Sequence, residues 1–172
     1  MNIKYAEELV RCELIKKKFD DYAVMLEVTE ESENCFAVYY QTKKYIKTNN
    51  TDFMSIGNGP VIVNKSNGEL YFTGSGRPTE HLIESFEKYG HPEIVENQNE
   101  LQISYDNSKE VSYNNQLKVL KKLTGKGFLE VKSIYEYLKN GNNVIVKNDL
   151  PDELKESLIS NGFIVSYPLV EY

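Results

Sequence analysis

Ser55-Ile-Gly-Asn-Gly-Pro-Val-Ile-Val-Asn-Lys-Ser-Asn-Gly-Glu-Leu70 reads as a tight loop, a buried strand, a turn and the start of a second strand. Gly57 and Gly59 can take backbone angles closed to other residues, and Pro60 fixes φ where the strand begins. Val61, Ile62 and Val63 are apolar and β-branched, which suits a packed strand. Asn67-Gly68 is a short hairpin signal, because both residues tolerate a positive φ. The stretch supplies an architecture, and it contains no nucleophile, metal cluster or phosphate loop.

Upstream, the spacing of Ile3, Ala6, Leu9 or Val10, Leu14 and Ile15 predicts a helix over residues 3–18. Lys16, Lys17 and Lys18 sit at its negative dipole end. Residues 22–29 alternate, with Val24, Leu26 and Val28 on one face of an expected strand. Glu30 to Asn34 reads as a polar turn and residues 35–42 as a second strand, so the pair is expected to form a hairpin. Residues 43–51 read as a polar continuation, strand then loop. Downstream, residues 60–65 and 69–73 form the next hairpin. Thr79 is an expected N-cap for a short helix with Leu82, Ile83 and Phe86 on its apolar face, ending near Tyr89 and Gly90 with Pro92 behind.

Residues 90–99 are polar and contain Pro92, the best boundary in the chain. Beyond it the expected order is strand (101–105), helix (Leu117, Leu120, Leu123), helix (Val131, Ile134, Tyr135, Leu138), strand (144–146), helix (152–161, capped by Gly162) and strand (163–167). The expected fold class is therefore α+β. A domain at 1–92 holds an antiparallel sheet with flanking helices, and a small βααβαβ domain occupies 99–172.

Composition narrows the function classes. The chain of 172 residues is 40% hydrophobic, with a mean hydropathy of −0.51. No apolar run approaches the about 20 residues that a membrane helix needs. The start, Met1 to Leu9, lacks a signal-peptide core, so a cytosolic location is expected. Net charge is −6, and residues 1–97 hold eleven Lys and Arg against sixteen Asp and Glu. That imbalance argues against nucleic acid as a partner and admits a basic protein. Thirteen tyrosines suit both half-buried strands and interfaces.

The residues that usually carry chemistry are dispersed. His81 and His91 have no Cys or paired carboxylates beside them, and Cys12 and Cys35 lack metal spacing and are expected free. Asp20-Asp21 and the Glu30, Glu31, Glu33 cluster read as solvated turns or a partner contact. Gly74-Ser-Gly lacks the Lys-Ser/Thr ending of a phosphate loop, and Ser66, Ser75 and Ser85 lack a nucleophile elbow. No catalytic residue, metal or cofactor is expected, and binding rather than catalysis is the expected activity. Thr124-Gly-Lys-Gly-Phe128 reverses the chain between helices with Lys118, Lys121, Lys122 and Lys132 around it. It reads either as a basic docking edge with Phe128 or as an ordinary helical hairpin.

The first half resembles the YrhB family, also described as immunity protein 35. The matching residues are Ile56-Gly-Asn-Gly-Pro-Val-Ile-Val-Asn-Lys-Ser-Asn-Gly-Glu69, then Thr73-Gly, Pro78-Thr-Glu and Phe86-Glu-Lys-Tyr. Cys35-Phe36 replaces an expected Gly-Trp, and Asn64 an expected Asp. The resemblance spans roughly residues 3–90. It implies a bacterial cytosolic antitoxin of polymorphic toxin systems, or a chaperone-like protein, and brings no catalytic residues.

The second half resembles the C-terminal domain of ribosomal protein L7/L12. The matching motif is Leu117-Lys-Val-Leu-Lys-Lys-Leu-Thr-Gly-Lys-Gly-Phe-Leu-Glu-Val-Lys132, followed by Leu154-Lys-Glu-Ser-Leu-Ile-Ser-Asn-Gly-Phe-Ile-Val165. The resemblance implies a translation-factor-binding face on Leu117, Lys118, Lys121, Gly127, Phe128, Glu130 and Lys132. Phe128 stands where Leu is usual, and Lys121 where Arg is usual. The ribosomal protein's dimerising domain and Ala-rich hinge have no counterpart in these residues.

The leading expectation is an immunity protein that occludes a cognate toxin, with Glu30, Glu31, Glu33, Tyr39, Tyr40 and Asn58 as contacts. A translation-factor or ribosome binder using Leu117, Lys118, Lys121, Phe128 and Lys132 is the alternative, and a holdase-like chaperone the third.

Overall fold

In a computed structural model, which describes residues 1–171, the chain is α+β with antiparallel sheets. It divides into two compact units, Met1–Ile94 (with Glu171) and Val95–Val170.

The first unit opens with α1 (Ile3–Lys16), capped by the Asn2 side chain accepting from Tyr5 N–H at 3.0 Å. Its strands are β1 (Tyr22–Val24), β2 (Glu30–Glu31), β3 (Cys35–Val38), β4 (Tyr40–Thr42), β5 (Asn58–Asn64) and β6 (Leu70–Gly74). Between β4 and β5 lie α2 (Lys43–Thr48) and a 3-10 turn (Thr51–Phe53), and after β6 comes α3 (Thr79–Tyr89). The main sheet runs β2-β3-β5-β6, all antiparallel.

Residues 61–63 form a continuous apolar run because both faces of β5 are covered. With a period of two, Val61 and Val63 join Phe36 and Val38 against Ala6, Val10 and Leu14 of α1. Ile62 joins Cys35 and Ala37 against Leu82 and Phe86 of α3. Each fully buried side chain of this kind contributes about 1.5–3 kcal/mol. A register irregularity separates Asn58 from Val61, and there β5 presses on β6. A Cβ on Gly59 would lie 2.4 Å from Gly74 O and 2.6 Å from Thr73 Oγ1, so the position demands glycine for close approach. In the β5–β6 turn Gly68 alone takes a positive φ, 76°, while the Asn67 side chain accepts from Glu69 N–H at 2.9 Å.

Three local expectations change. The strand expected over 22–29 stops at Val24, and Leu26 and Val28 are exposed. Residues 35–42 break at Tyr39, so the expected hairpin forms in two pieces: β1 pairs with β4, and β2 pairs with β3, whose other neighbour is β5. Residues 43–48 are helical, because Thr42 caps them by accepting from Tyr45 N–H at 3.1 Å and Asn49 closes them at φ 51°.

In the second unit, β8 (Glu100–Tyr105), α4 (Tyr113–Thr124), α5 (Phe128–Lys139), β9 (Val144–Lys147), α6 (Asp152–Ser160) and β10 (Phe163–Ser166) follow in the expected order. The antiparallel sheet runs β10-β8-β9. Leu101 and Ile103 of β8 pack with Leu117, Leu120, Val131, Leu138, Leu158 and Phe163, while Gln102, Ser104, Ile145 and Ile164 are less buried. Two short strands absent from the sequence reading, β7 (Ile94–Glu96) and β11 (Leu169–Glu171), pair with each other. Among the described residues no helix is long and apolar enough to cross a membrane.

Candidate partner-binding site

The chain leaving β1 at Val24 is held by Met25 N–H donating to Tyr39 O at 2.9 Å. Thr29 Oγ1 donates to the nearly buried Glu7 carboxylate at 3.0 Å, fixing the far end of the same loop. Between these anchors Leu26 is 57% and Val28 44% exposed. Ile46 of α2 and Met54 are also exposed, at 43% and 46%.

Backbone clamps hold this apolar surface. The buried Gln41 side chain donates through Nε2 to Ser55 O at 2.9 Å, and its Oε1 accepts from Ser55 N–H at 2.7 Å and Thr42 N–H at 2.9 Å. Thr42 Oγ1 donates to Phe53 O at 2.5 Å while capping α2. Residues 53–55 are thereby fastened to β4.

Two concavities open on this surface, of about 430 Å³ and 460 Å³. Met25, Val28 and Tyr45 line both, so they form one groove with two compartments. The first adds Leu26, Glu27 and Ile46. The second adds Glu30, Tyr39, Tyr40, Met54 and Asn58.

Among the residues expected as contacts, Glu30, Tyr39 and Asn58 therefore meet in one compartment. Tyr39 O–H donates a hydrogen bond to Glu30 Oε1 at 2.6 Å and stands 2.7 Å from Thr79 Oγ1, which is left to act as donor. Burial, and then the bond to Glu30, push the Tyr39 pKa up, so it stays a neutral donor. Asn58 Nδ2 donates to Tyr40 O at 3.1 Å. Its Oδ1 is buried and has no donor among the described residues.

The other expected contacts in this unit have different surroundings. Tyr40 is a core residue at 9% exposure, its ring 5.9 Å from Phe72 and 5.8 Å from Tyr22, and it supplies only part of the groove lining. Glu31 pairs with Lys65 at 2.7 Å, and Lys65 also lies over the Phe36 ring at 4.5 Å. Glu33 is exposed in a turn that α3 grips through Glu87, which accepts from Ser32 Oγ at 2.5 Å, Asn34 N–H at 2.8 Å and Asn34 Nδ2 at 2.5 Å. Burial raises the Glu87 pKa, but these donors together outweigh it and hold the carboxyl below its usual range. Burial also pushes the Cys35 thiol up, which suits an inert core cysteine.

In the second unit Leu117 is a core residue at 4% exposure, which corrects its expected place on a contact face; it sits on the stripe that α4 turns toward β8. Lys118, Lys121 and Lys122 are exposed and line a concavity of about 630 Å³ with Asn115, Ser157 and Asn161. Phe128, 55% exposed, lies outside that lining, with Lys132 Nζ 4.9 Å from its ring centre. Glu130 closes the turn before α5 by accepting from Gly127 N–H at 3.3 Å and pairing with Lys126 at 3.2 Å. Lys118 and Lys121 of the expected docking face thus lie in one concavity, while Lys132 stays with Phe128 outside its lining.

The sequence reading missed Met25, Leu26, Val28, Tyr45, Ile46 and Met54. The usable signal was Thr42 followed by Tyr45 and Ile46 and then Asn49, a capped single turn with an apolar side. Among the described residues no group of three or more His, Cys, Asp or Glu could hold a metal ion. Comparison with family models, curated proteins and solved structures finds no match to the chain.

Proposed function

We propose that the chain is a non-enzymatic, protein-binding immunity protein of the bacterial cytosol that neutralises a cognate toxin by occlusion. The observation that carries this reading is the groove of the first unit. Leu26, Val28, Ile46 and Met54 stay substantially exposed although the backbone around them is clamped. An apolar surface rimmed by polar groups marks an interaction site, and a preformed one lowers the ordering cost of binding. Met25 and Met54 give it adaptability. The resemblance of residues 3–90 to the YrhB and immunity protein 35 family supplies the partner class.

The test is capture of partners from the native cytosol with wild type and Leu26→Asp, followed by production of the captured protein alone. The proposal predicts one stoichiometric partner, lost with Leu26→Asp, that arrests growth alone and is silenced when the wild-type chain is co-produced. A captured partner without toxicity, or one retained by Leu26→Asp, contradicts it.

A second reading rests on the lysines of α4. Lys118, Lys121 and Lys122 form no ion pair among the described residues and converge on one concavity, which suits an acidic partner such as a translation factor. Capture of such a factor, lost on Lys118→Glu/Lys121→Glu and retained by Leu26→Asp, would replace the first reading with this one.

A further inference from the structure

The second compartment of the groove has a lining that an apolar anchor alone does not explain. Its walls are Met25, Val28 and Met54 with the rings of Tyr39, Tyr40 and Tyr45, and its polar groups are Glu30, Gln41 and Asn58. Gln41 is spent on Ser55 and Thr42. Glu30 accepts one hydrogen bond, from Tyr39, and a carboxylate has room for several more donors. Asn58 Oδ1 is buried, shut off from solvent, with no donor among the described residues. Glu30 is thus the acceptor that a guest can reach. Among the described residues lining the two compartments, the charged ones are Glu27 and Glu30, with no Lys, Arg or His.

We infer that this compartment receives an arginine or lysine side chain from a basic segment of the bound protein. Its aliphatic stem lies along Met25, Val28 and Met54. Its cationic head meets the Glu30 carboxylate and the tyrosine faces. Each element has a physical reason. Long cationic side chains bury their stems on apolar surface. A cation is attracted to the faces of aromatic rings, and a charge-assisted bond to a carboxylate is roughly twice as strong as a neutral one. The net −5 of residues 1–97 steers such a segment inward. Arginine fits better than lysine, because its planar fork matches the geometry of a carboxylate. The inference rests on the groove being a protein-binding site and names the chemistry of what enters it.

The experiment uses the full chain labelled with nitrogen-15 and three probes: n-butylguanidinium, n-butylammonium and the neutral, nearly isosteric n-butylurea. Saturable amide shifts at Met25, Tyr39, Tyr45 and Asn58 are expected with butylguanidinium, binding about fivefold or more tighter than butylurea. Glu30→Gln, which keeps an oxygen for Tyr39, should erase that preference, bringing the two affinities within about twofold of each other. Equal binding of the cation and butylurea, a preference that survives Glu30→Gln, or shifts confined to other residues would each overturn the inference. Partner capture separates this from the parent reading. Loss with Leu26→Asp but not with Glu30→Gln leaves the groove standing and removes the cation. Retention by Leu26→Asp removes the groove as the toxin-binding face, whatever the probes do.

Discussion

Gln41 holds Ser55 by both backbone groups, its amide nitrogen donating to Ser55 O at 2.9 Å and its amide oxygen accepting from Ser55 N–H at 2.7 Å. The thirteen residues between them, including α2, are closed by this buried side chain together with the Thr42 Oγ1 bond to Phe53 O. Gln41→Ala leaves the Ser55 N–H and C=O and the Thr42 N–H without partners. The expected cost is about 2 kcal/mol in urea unfolding, with broadened amide signals across residues 42–56.

Gly59 faces β6 too closely for any side chain: a Cβ added there would lie 2.4 Å from Gly74 O. The obstacle is backbone, which cannot swing aside. Gly59→Ala should cost about 3 kcal/mol or leave the first unit unfolded, read by circular dichroism melting. Gly76→Ala, where nothing lies within 4 Å, is the control and should be near neutral.

Glu87 links α3 to the turn at Ser32 and Asn34, and its carboxyl is held below the usual range. A depressed carboxylate contributes stability that is present above its unfolded pKa, about 4.3, and is lost as pH falls through the folded value. The urea midpoint should therefore fall below about pH 4. Glu87→Gln should lower the midpoint at pH 7 and flatten that part of the acid dependence.

Leu26 and Ile46 are exposed and make few contacts that hold the fold. Leu26→Asp and Ile46→Asp should each change stability by no more than about 0.5 kcal/mol in urea. A loss of partner binding in these variants then reports the surface and not unfolding.

Much of the fold was legible where one physical signal dominated. Val61-Ile-Val63 is apolar on successive residues because α1 and α3 cover opposite faces, and the spacing of Leu117, Leu120, Val131 and Leu138 marks helices packed on β8. The site was less legible because non-local contacts decide it. The alternation of Val24, Leu26 and Val28 imitates a half-buried strand, yet the ladder with β4 ends on the bond from Met25 N–H to Tyr39 O, and the chain turns away beyond it. Tyr39 and Tyr40 look alike in sequence, but the bend between β3 and β4 sends one to Glu30 and the other under Phe72. The six residues 43–48 are too short for a periodicity signal, and only their caps reveal them. Leu117 illustrates the opposite error, since a matched motif placed on a contact face a residue that its own helical stripe assigns to the core.

The most direct test of the groove as the partner-binding face is calorimetric titration of the purified captured partner into wild type and into the Leu26→Asp/Ile46→Asp variant. The account predicts a single one-to-one isotherm for wild type and at least about a hundredfold loss of affinity for the folded variant, equivalent to about 2.7 kcal/mol. Equal affinities would place the interface elsewhere and contradict the account.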